Sequence, residues 1–326
     1  SLEHKVDSLI QYGIQNKAFP GAQVLIFKND SIQLNKSYGY QTYDSLNPIT
    51  NSNLYDLASV TKVLASTLAF MKLYELYDID LNKKVSSYIP LLKRSNKKNT
   101  SFKEVLSHSG GWIPYIAHQN LIYKKNGDYK NRTVSSKQNN KYPTQISDSL
   151  FIHKKYAKKI LSRIKKTKIG DSGTYLYSGL WFFLLPELTL ELSGLSFRGF
   201  LNTHFYSPLK LKRLTFLPSN QFPKDEIVPT EIDSLFRKKL VQGWVHDEAA
   251  AMMGGISGNA GLFANASSIA PLLKMFLQKG SIDGIQLLKP KTLELFTQRT
   301  FPQSENRRGL GFDKPSIKID DPYPSE

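Results

Sequence analysis

Residues 56–67 read DLASVTKVLAST. Ser59 and Lys62 stand one helical turn apart, just where an apolar, helix-forming run begins. On a helix, positions i and i+3 share a face, with Cβ atoms about 5–6 Å apart. The same spacing recurs at Ser95/Lys98, Ser162/Lys165 and Ser207/Lys210, so context must choose among the pairs. Ser95 lies in polar RSNKKNT, Ser207 precedes Pro208, and Ser162 belongs to a basic helix whose Lys165 would face water. Ser59 instead opens a helix beside Leu57, Val63 and Leu64. Apolar surroundings would partly desolvate the Lys62 ammonium, and desolvation favours the neutral amine. A lysine able to lose its proton can activate a serine hydroxyl. Backbone N–H groups at a helix start also favour a developing oxyanion. The plainer reading is an N-cap serine with a snorkelling lysine, which has the same spacing.

The chain of 326 residues is long enough for one large or two medium domains with a real core. No stretch approaches the roughly 20 apolar residues that span a bilayer. The opening SLEHKVDSLIQYGIQ reads as an amphipathic helix without the features of a signal peptide. There is no cysteine, which excludes disulfides, thiolate nucleophiles and Cys-based metal sites. Net charge is +17, from 44 basic and 27 acidic residues. Much of the excess lies in HKKYAKKILSRIKKTK at 153–168 and in residues 121–141. A solvated helix face plus a polar loop is the ordinary reading. A polyanion partner is the alternative, and it predicts steep salt dependence. Zinc-finger spacing, aromatic RNA-binding signatures and phosphate-cradling loops are missing, so no specific nucleic-acid partner is expected.

Working outward, Val6, Leu9, Ile10 and Ile14 predict a helix over 2–17. Runs 22–28 and 31–39 flank Asn29-Asp30 and predict a hairpin. Residues 59–77 predict a strong helix, broken by Asp78 and Asp80. TSFKEVLSHSGG at 100–111 has a capping-box start, Thr100 or Ser101 before Glu104. Residues 115–148 are polar and read as a surface insertion with little regular structure. Pro186 kinks or bounds an apolar helix over 177–193. The glycines of 254–263 predict a tight loop entering a strand, and helices follow near 267–279 and 290–299. The order of elements implies an α/β sheet domain from 1–60 and 240–326, interrupted by a mostly helical domain over 61–239. His246, Asp247 and Glu248 are consecutive and point in different directions, so no metal site is expected.

Several segments in register carry a resemblance: FPGAQVLIFKND, LYDLASVTKVLAST, SFKEVLSHSGGW, YLYSGLWFFLLPELTLELSG and VHDEAAAMMGGISGNAGLF. Together they resemble the serine β-lactamase-like superfamily, which includes class C β-lactamases, penicillin-binding DD-peptidases and related esterases. TEIDSLFRKKL, VHDEAAAMMGG and NRRGLGFDKP resemble most closely the serine-hydrolase domain that follows a family 3 glycoside hydrolase domain in some Bacteroidetes proteins. The resemblance implies an antiparallel sheet flanked by helices plus a mostly helical domain, and a serine hydrolase working through an acyl-enzyme without metal or organic cofactor. It implies Ser59 as nucleophile, Lys62 as its activating partner, and Tyr177 in YSG as the tyrosine of a Tyr-x-Asn motif. Gly179, Asn259 and Gly261 would line the substrate site, and His108 in SHSGG would be structural. Peptidoglycan-derived peptides, β-lactams or esters are the implied substrates, and the cell envelope or periplasm the implied location. A fused glycosidase domain would precede this one. Two features depart from the pattern: Gly179 replaces the amide of Tyr-x-Asn, and the closing Lys- or His-Thr/Ser-Gly motif is not found in the chain.

Overall fold

The computed structural model describes residues 1–316. Asn29 and Asp30 both adopt left-handed backbone, with φ of 49° and 62°. A two-residue type I′ turn needs this to follow the twist of its strands. They join β1 (Gly21–Lys28) to β2 (Ser31–Gly39), from Gly21 opposite Gly39 to Lys28 opposite Ser31, with a bulge at Ile26/Phe27. Before the hairpin, α1 (Leu2–Gln15) is capped by the Ser1 side chain. Lys36 of β2 reaches back to Glu3 and Asp7 and ties α1 down.

The stretch expected as one helix over 59–77 is helical in three pieces. β3 (Tyr55–Asp56) leads into a 3-10 turn at Ala58–Val60, a π-helical turn at Lys62–Thr67, and α2 (Leu68–Tyr77). The Tyr206 hydroxyl donates to the Leu64 carbonyl at 2.7 Å. A donor entering the helical ladder is a recognised cause of such local widening. Asp78 ends α2 in a left-handed conformation, φ 47°. In α3 (Phe102–Leu106) the capping box is completed by Ser101 rather than Thr100, with Glu104 closing it. Thr100 instead accepts from the Trp112 indole at 3.1 Å.

The 115–148 segment holds more order than its composition predicts. It contains β4 (Val134–Ser135) and β5 (Thr144–Ser147), which pair on either side of β6 (Leu150–Ile152). Ile116, Ile122 and Ile146 are buried anchors without a helical or strand period, so pattern reading passes over them. The basic stretch forms α4 (Lys155–Lys166), which buries Tyr156, Ile160 and Ile164 and leaves its lysines on the outside.

Pro186 acts as a boundary. A 3-10 turn at Leu180–Leu184 precedes α5 (Leu185–Ser193), whose first turn holds the proline where its missing N–H costs nothing. α6 (Phe197–Leu201) packs on α5, and β7 (Leu214–Phe216) follows. A small hairpin of β8 (Glu231–Asp233) and β9 (Lys239–Val241) leads to α7 (Glu248–Met252), capped by Asp247. The glycine loop enters β10 (Leu262–Ala264), which lies between β3 and β7. α8 (Ala266–Leu277) then packs on β1, and α9 (Pro290–Thr297) on α2. Helix α2 runs through the core: the Phe70 ring meets Phe102, Trp181 and Phe296 at 5.1, 6.2 and 6.1 Å. The last ten residues, where closing strands would be sought, lie outside the described residues.

Candidate active site

Ser59 sits in the middle of the 3-10 turn that follows β3. The expectation that it opens a long α-helix is thereby corrected. The turn is set by Asp56, whose carboxylate accepts from the Ala58 N–H at 2.8 Å and the His246 N–H at 2.7 Å. Burial pushes the Asp56 carboxyl above the usual range, against the pull of these two N–H groups. Ala58 is left-handed, φ 45°, a conformation that costs a non-glycine residue roughly 1–2 kcal/mol. Leu57 donates to the Leu262 carbonyl and Leu262 donates to the Thr61 hydroxyl, so β10 braces both sides of the turn.

Lys62 is 7% exposed and lies under the exposed Ser59. Its Nζ donates to Ser59 Oγ at 2.8 Å and to the Asn259 carbonyl at 2.9 Å. Among the described residues no carboxylate pairs with it. The Tyr177 and Phe182 rings flank the ammonium, with centroids 5.5 and 5.6 Å from Nζ. A cavity of about 260 Å³ opens over this group, lined by Ser59, Lys62, Tyr177, Gly179 and Asn259 together with Tyr115, His118 and Asp247.

Five of the six expected site residues therefore meet at one cavity. Gly261 does not line it. It supports the loop behind: its φ is 123°, and a Cβ there would stand 2.5 Å from the Gly255 carbonyl oxygen. Gly258 fixes the same loop from the other side, since a Cβ would meet the Phe182 carbonyl oxygen at 2.1 Å. The Ser66 hydroxyl donates to the Gly258 carbonyl and completes the anchor.

Gly179 caps the 3-10 turn at Leu180–Leu184 with φ −83° and ψ −9°, which any residue can adopt. A Cβ there would lie 3.7 Å from Lys62 Cε and 3.9 Å from Nζ, ordinary contact distances. The second hydrogen bond of Lys62 is thus made to the main chain at Asn259. The Asn259 side chain accepts from the Ser257 hydroxyl at 2.7 Å.

His108 is buried, and its ring packs on Tyr177 at 4.5 Å. Its Nδ1 accepts from the Ser178 N–H at 3.1 Å. Burial, aided by Arg308 and Lys62, pulls the imidazole down to about 3, so it is neutral and positions the YSG turn. His246, Asp247 and Glu248 go separate ways: His246 reaches Glu231 at 2.8 Å, while Asp247 caps α7.

Four residues found around the site are not among those expected there. Tyr115 and His118 come from the polar insertion, and Asp247 from VHDE. Buried Arg308, in NRRGLGF, stands with its Cζ 6.0 Å from the Tyr177 ring centroid. None shares a local motif with Ser59, so spacing could not recruit them.

Comparison with known proteins bears on the family and the fold. The beta-lactamase family profile matches residues 6–315. The chain belongs to the beta-lactamase family. A protein of Salmonella agona described as "Putative D-alanyl-D-alanine carboxypeptidase" is 30% identical over 318 residues, covering 91% of this chain and 69% of the relative. Among solved structures, the octameric penicillin-binding protein homologue from Pyrococcus abyssi superposes with a TM-score of 0.68 at 18% identity, over 94% of this chain and 64% of that one. FmtA from Staphylococcus aureus gives 0.64 at 20% identity, over 94% and 75%. The mixed α/β architecture is that of the β-lactamase/transpeptidase-like fold.

Proposed function

We propose that this beta-lactamase family member is a serine hydrolase that forms an acyl-enzyme on amide or ester bonds. The observation that carries the reading is the 2.8 Å hydrogen bond between Lys62 Nζ and Ser59 Oγ at the floor of an open cavity. Ser59 Oγ attacks the carbonyl carbon while its proton passes to Lys62, which must first be in its neutral form so that the hydrogen bond reverses. Tyr177, whose ring lies over the Lys62 ammonium, relays that proton to the leaving amine or alcohol as the C–N or C–O bond breaks. Water then attacks the Ser59 ester, the same groups take its proton, and the acid product departs with Ser59 restored.

The name of the Salmonella relative and the family resemblance favour cell-wall peptides, with β-lactams as candidate substrates of the same chemistry. The family resemblance also favours an exported domain working in the cell envelope, beside a glycosidase domain of the same polypeptide. Gly179 favours a second reading, a cleft that binds such fragments without turnover, because position 179 places no side-chain amide beside Lys62.

Intact-mass spectrometry separates the two. Wild-type protein incubated with a panel of β-lactams and activated esters should gain the mass of one acyl group, and Ser59→Ala should gain none. An adduct of equal yield in Ser59→Ala, or no adduct from any reagent on folded protein, would overturn the hydrolase reading.

A further inference from the structure

Helix α4 and residues 121–154 before it do not line the cavity above, yet they carry most of the charge. Residues 121–168 hold fourteen Lys or Arg against two Asp, which is +12 of the chain's +17. On α4 the buried stripe is Tyr156, Ile160 and Ile164. At 100° per residue, Lys154, Lys158 and Lys165 form one row and Lys155, Lys159 and Lys166 the next. The two rows fill an arc of roughly 140° opposite the core. The arrangement is fixed in part by Tyr156, over whose ring Lys155 and Lys159 place their ammonium groups at 5.5 and 5.2 Å.

The insertion extends this face. The Lys154 N–H donates to the Lys141 carbonyl at 3.0 Å, which brings the 136–143 turn beside the start of α4. His153, between them, is held below the ordinary imidazole range, first by desolvation and then by Lys155, Lys154, Lys141 and Lys159. Among the described residues none of these six lysines is ion-paired with a carboxylate. Like charges left this close and unpaired repel one another, so the face is relieved by an external anion.

The chemistry of the face narrows the partner. Twelve of the fourteen bases are lysines, hydrated point charges rather than the planar forks that read individual phosphates. No large apolar or aromatic side chain between 121 and 168 is exposed, so bases have no stacking platform. The apolar stripe of α4 is spent on the core, and among the described residues no single helix is long and apolar enough to cross a membrane. We propose that the lysine face of α4 docks the protein by charge on an anionic lipid bilayer. Juxtaposed lysines contribute to such adsorption roughly fivefold each.

The test is co-sedimentation of the full chain with vesicles of mixed phosphatidylglycerol and phosphatidylcholine at 0.1 M salt. Two variants of equal net charge are compared. One changes Lys154, Lys158, Lys159 and Lys166 to Gln; the other changes the exposed Lys5, Lys17, Lys83 and Lys84 to Gln. The first should lose at least tenfold in partitioning, the second less than about threefold, and binding should fall steeply as salt rises. Equal losses in both variants, no binding of wild type, or undiminished binding to pure phosphatidylcholine would overturn the proposal. Duplex DNA or polyphosphate that binds more tightly than vesicles at equal phosphate concentration would overturn the choice of lipid. These readouts do not depend on Ser59, so they stand or fall apart from the hydrolase reading.

Discussion

Gly179 is where a single atom group decides most. Its backbone suits any residue, and a Cβ would rest against Lys62 without overlap. It also occupies an N-cap, where Asn serves at least as well as Gly. Gly179→Asn should therefore fold normally, with a melting temperature within about 2 °C of wild type. The restored amide would stand beside the Lys62 ammonium and the cavity, and acylation of Ser59 by activated esters should rise about tenfold in stopped-flow or mass-resolved kinetics. Unchanged acylation in a folded Gly179→Asn protein would show that the Asn259 carbonyl already does this work. Ala58 makes the converse case. Its left-handed backbone is relaxed by glycine, so Ala58→Gly should stabilise the fold by about 1 kcal/mol in urea titration. At this scale the sequence was informative for Ser59 and Lys62, because three residues of separation suffice to bring them together. It was silent on Arg308 and His118, which reach the site from distant segments.

Among elements, one buried arginine ties together segments beside the cavity. Arg237 donates to the carbonyls of Ile146, Val245 and His246, with Asp233 at 3.6 Å. Asp233 in turn accepts from the N–H groups of Leu235, Phe236 and Arg237. The clasp joins β5 to the VHDE loop, and that loop positions both Asp56 and Asp247. Arg237→Met should cost about 3 kcal/mol or more in chemical denaturation, because three carbonyls lose their donor and a buried carboxylate its counter-charge. A loss under 1 kcal/mol would mean that water replaces the guanidinium. Periodicity marked the hairpin, α2, α8 and α9 because each presents a regular apolar face. It passed over β7, β8 and β9, which are three residues long and too short to show a period. The division of 59–77 into three helical forms was equally hidden, since a hydroxyl from Tyr206 widens the middle turn.

Across the whole molecule, the fold class followed from ordered motifs, but the sheet order could not. β10 pairs with β3 and β7, and β3 lies some two hundred residues before β10 in sequence. Burial of histidine then gives the molecule a pH dependence that no local pattern announces. His108 is drawn down to about 3 and His118 to about 4, mainly by desolvation. His118 is 1% exposed, and neither of its ring nitrogens has a protein partner. In the unfolded chain both would titrate near 6.5. Below that value the unfolded state binds protons that the folded state refuses, so stability rises with pH and is lost as pH falls from about 6.5 toward the folded values. For His108 alone, moving from pH 7 to pH 5 should remove about 2 kcal/mol. His108→Gln removes the titration while offering an acceptor to the Ser178 N–H, and His118→Phe removes it while keeping a ring against Phe183. Urea titrations at pH 7 and pH 5 should show the wild-type loss shrinking in each variant and shrinking further in the double variant. If the double variant loses as much stability between the two pH values as wild type does, the acid sensitivity belongs to the other histidines held below the usual imidazole range, His153 and His204. Carboxylates such as Asp148 and Asp313 do not act in this window: against the upward push of burial their ion-pair partners hold them below the usual range, so their contribution is lost only at lower pH, as they protonate.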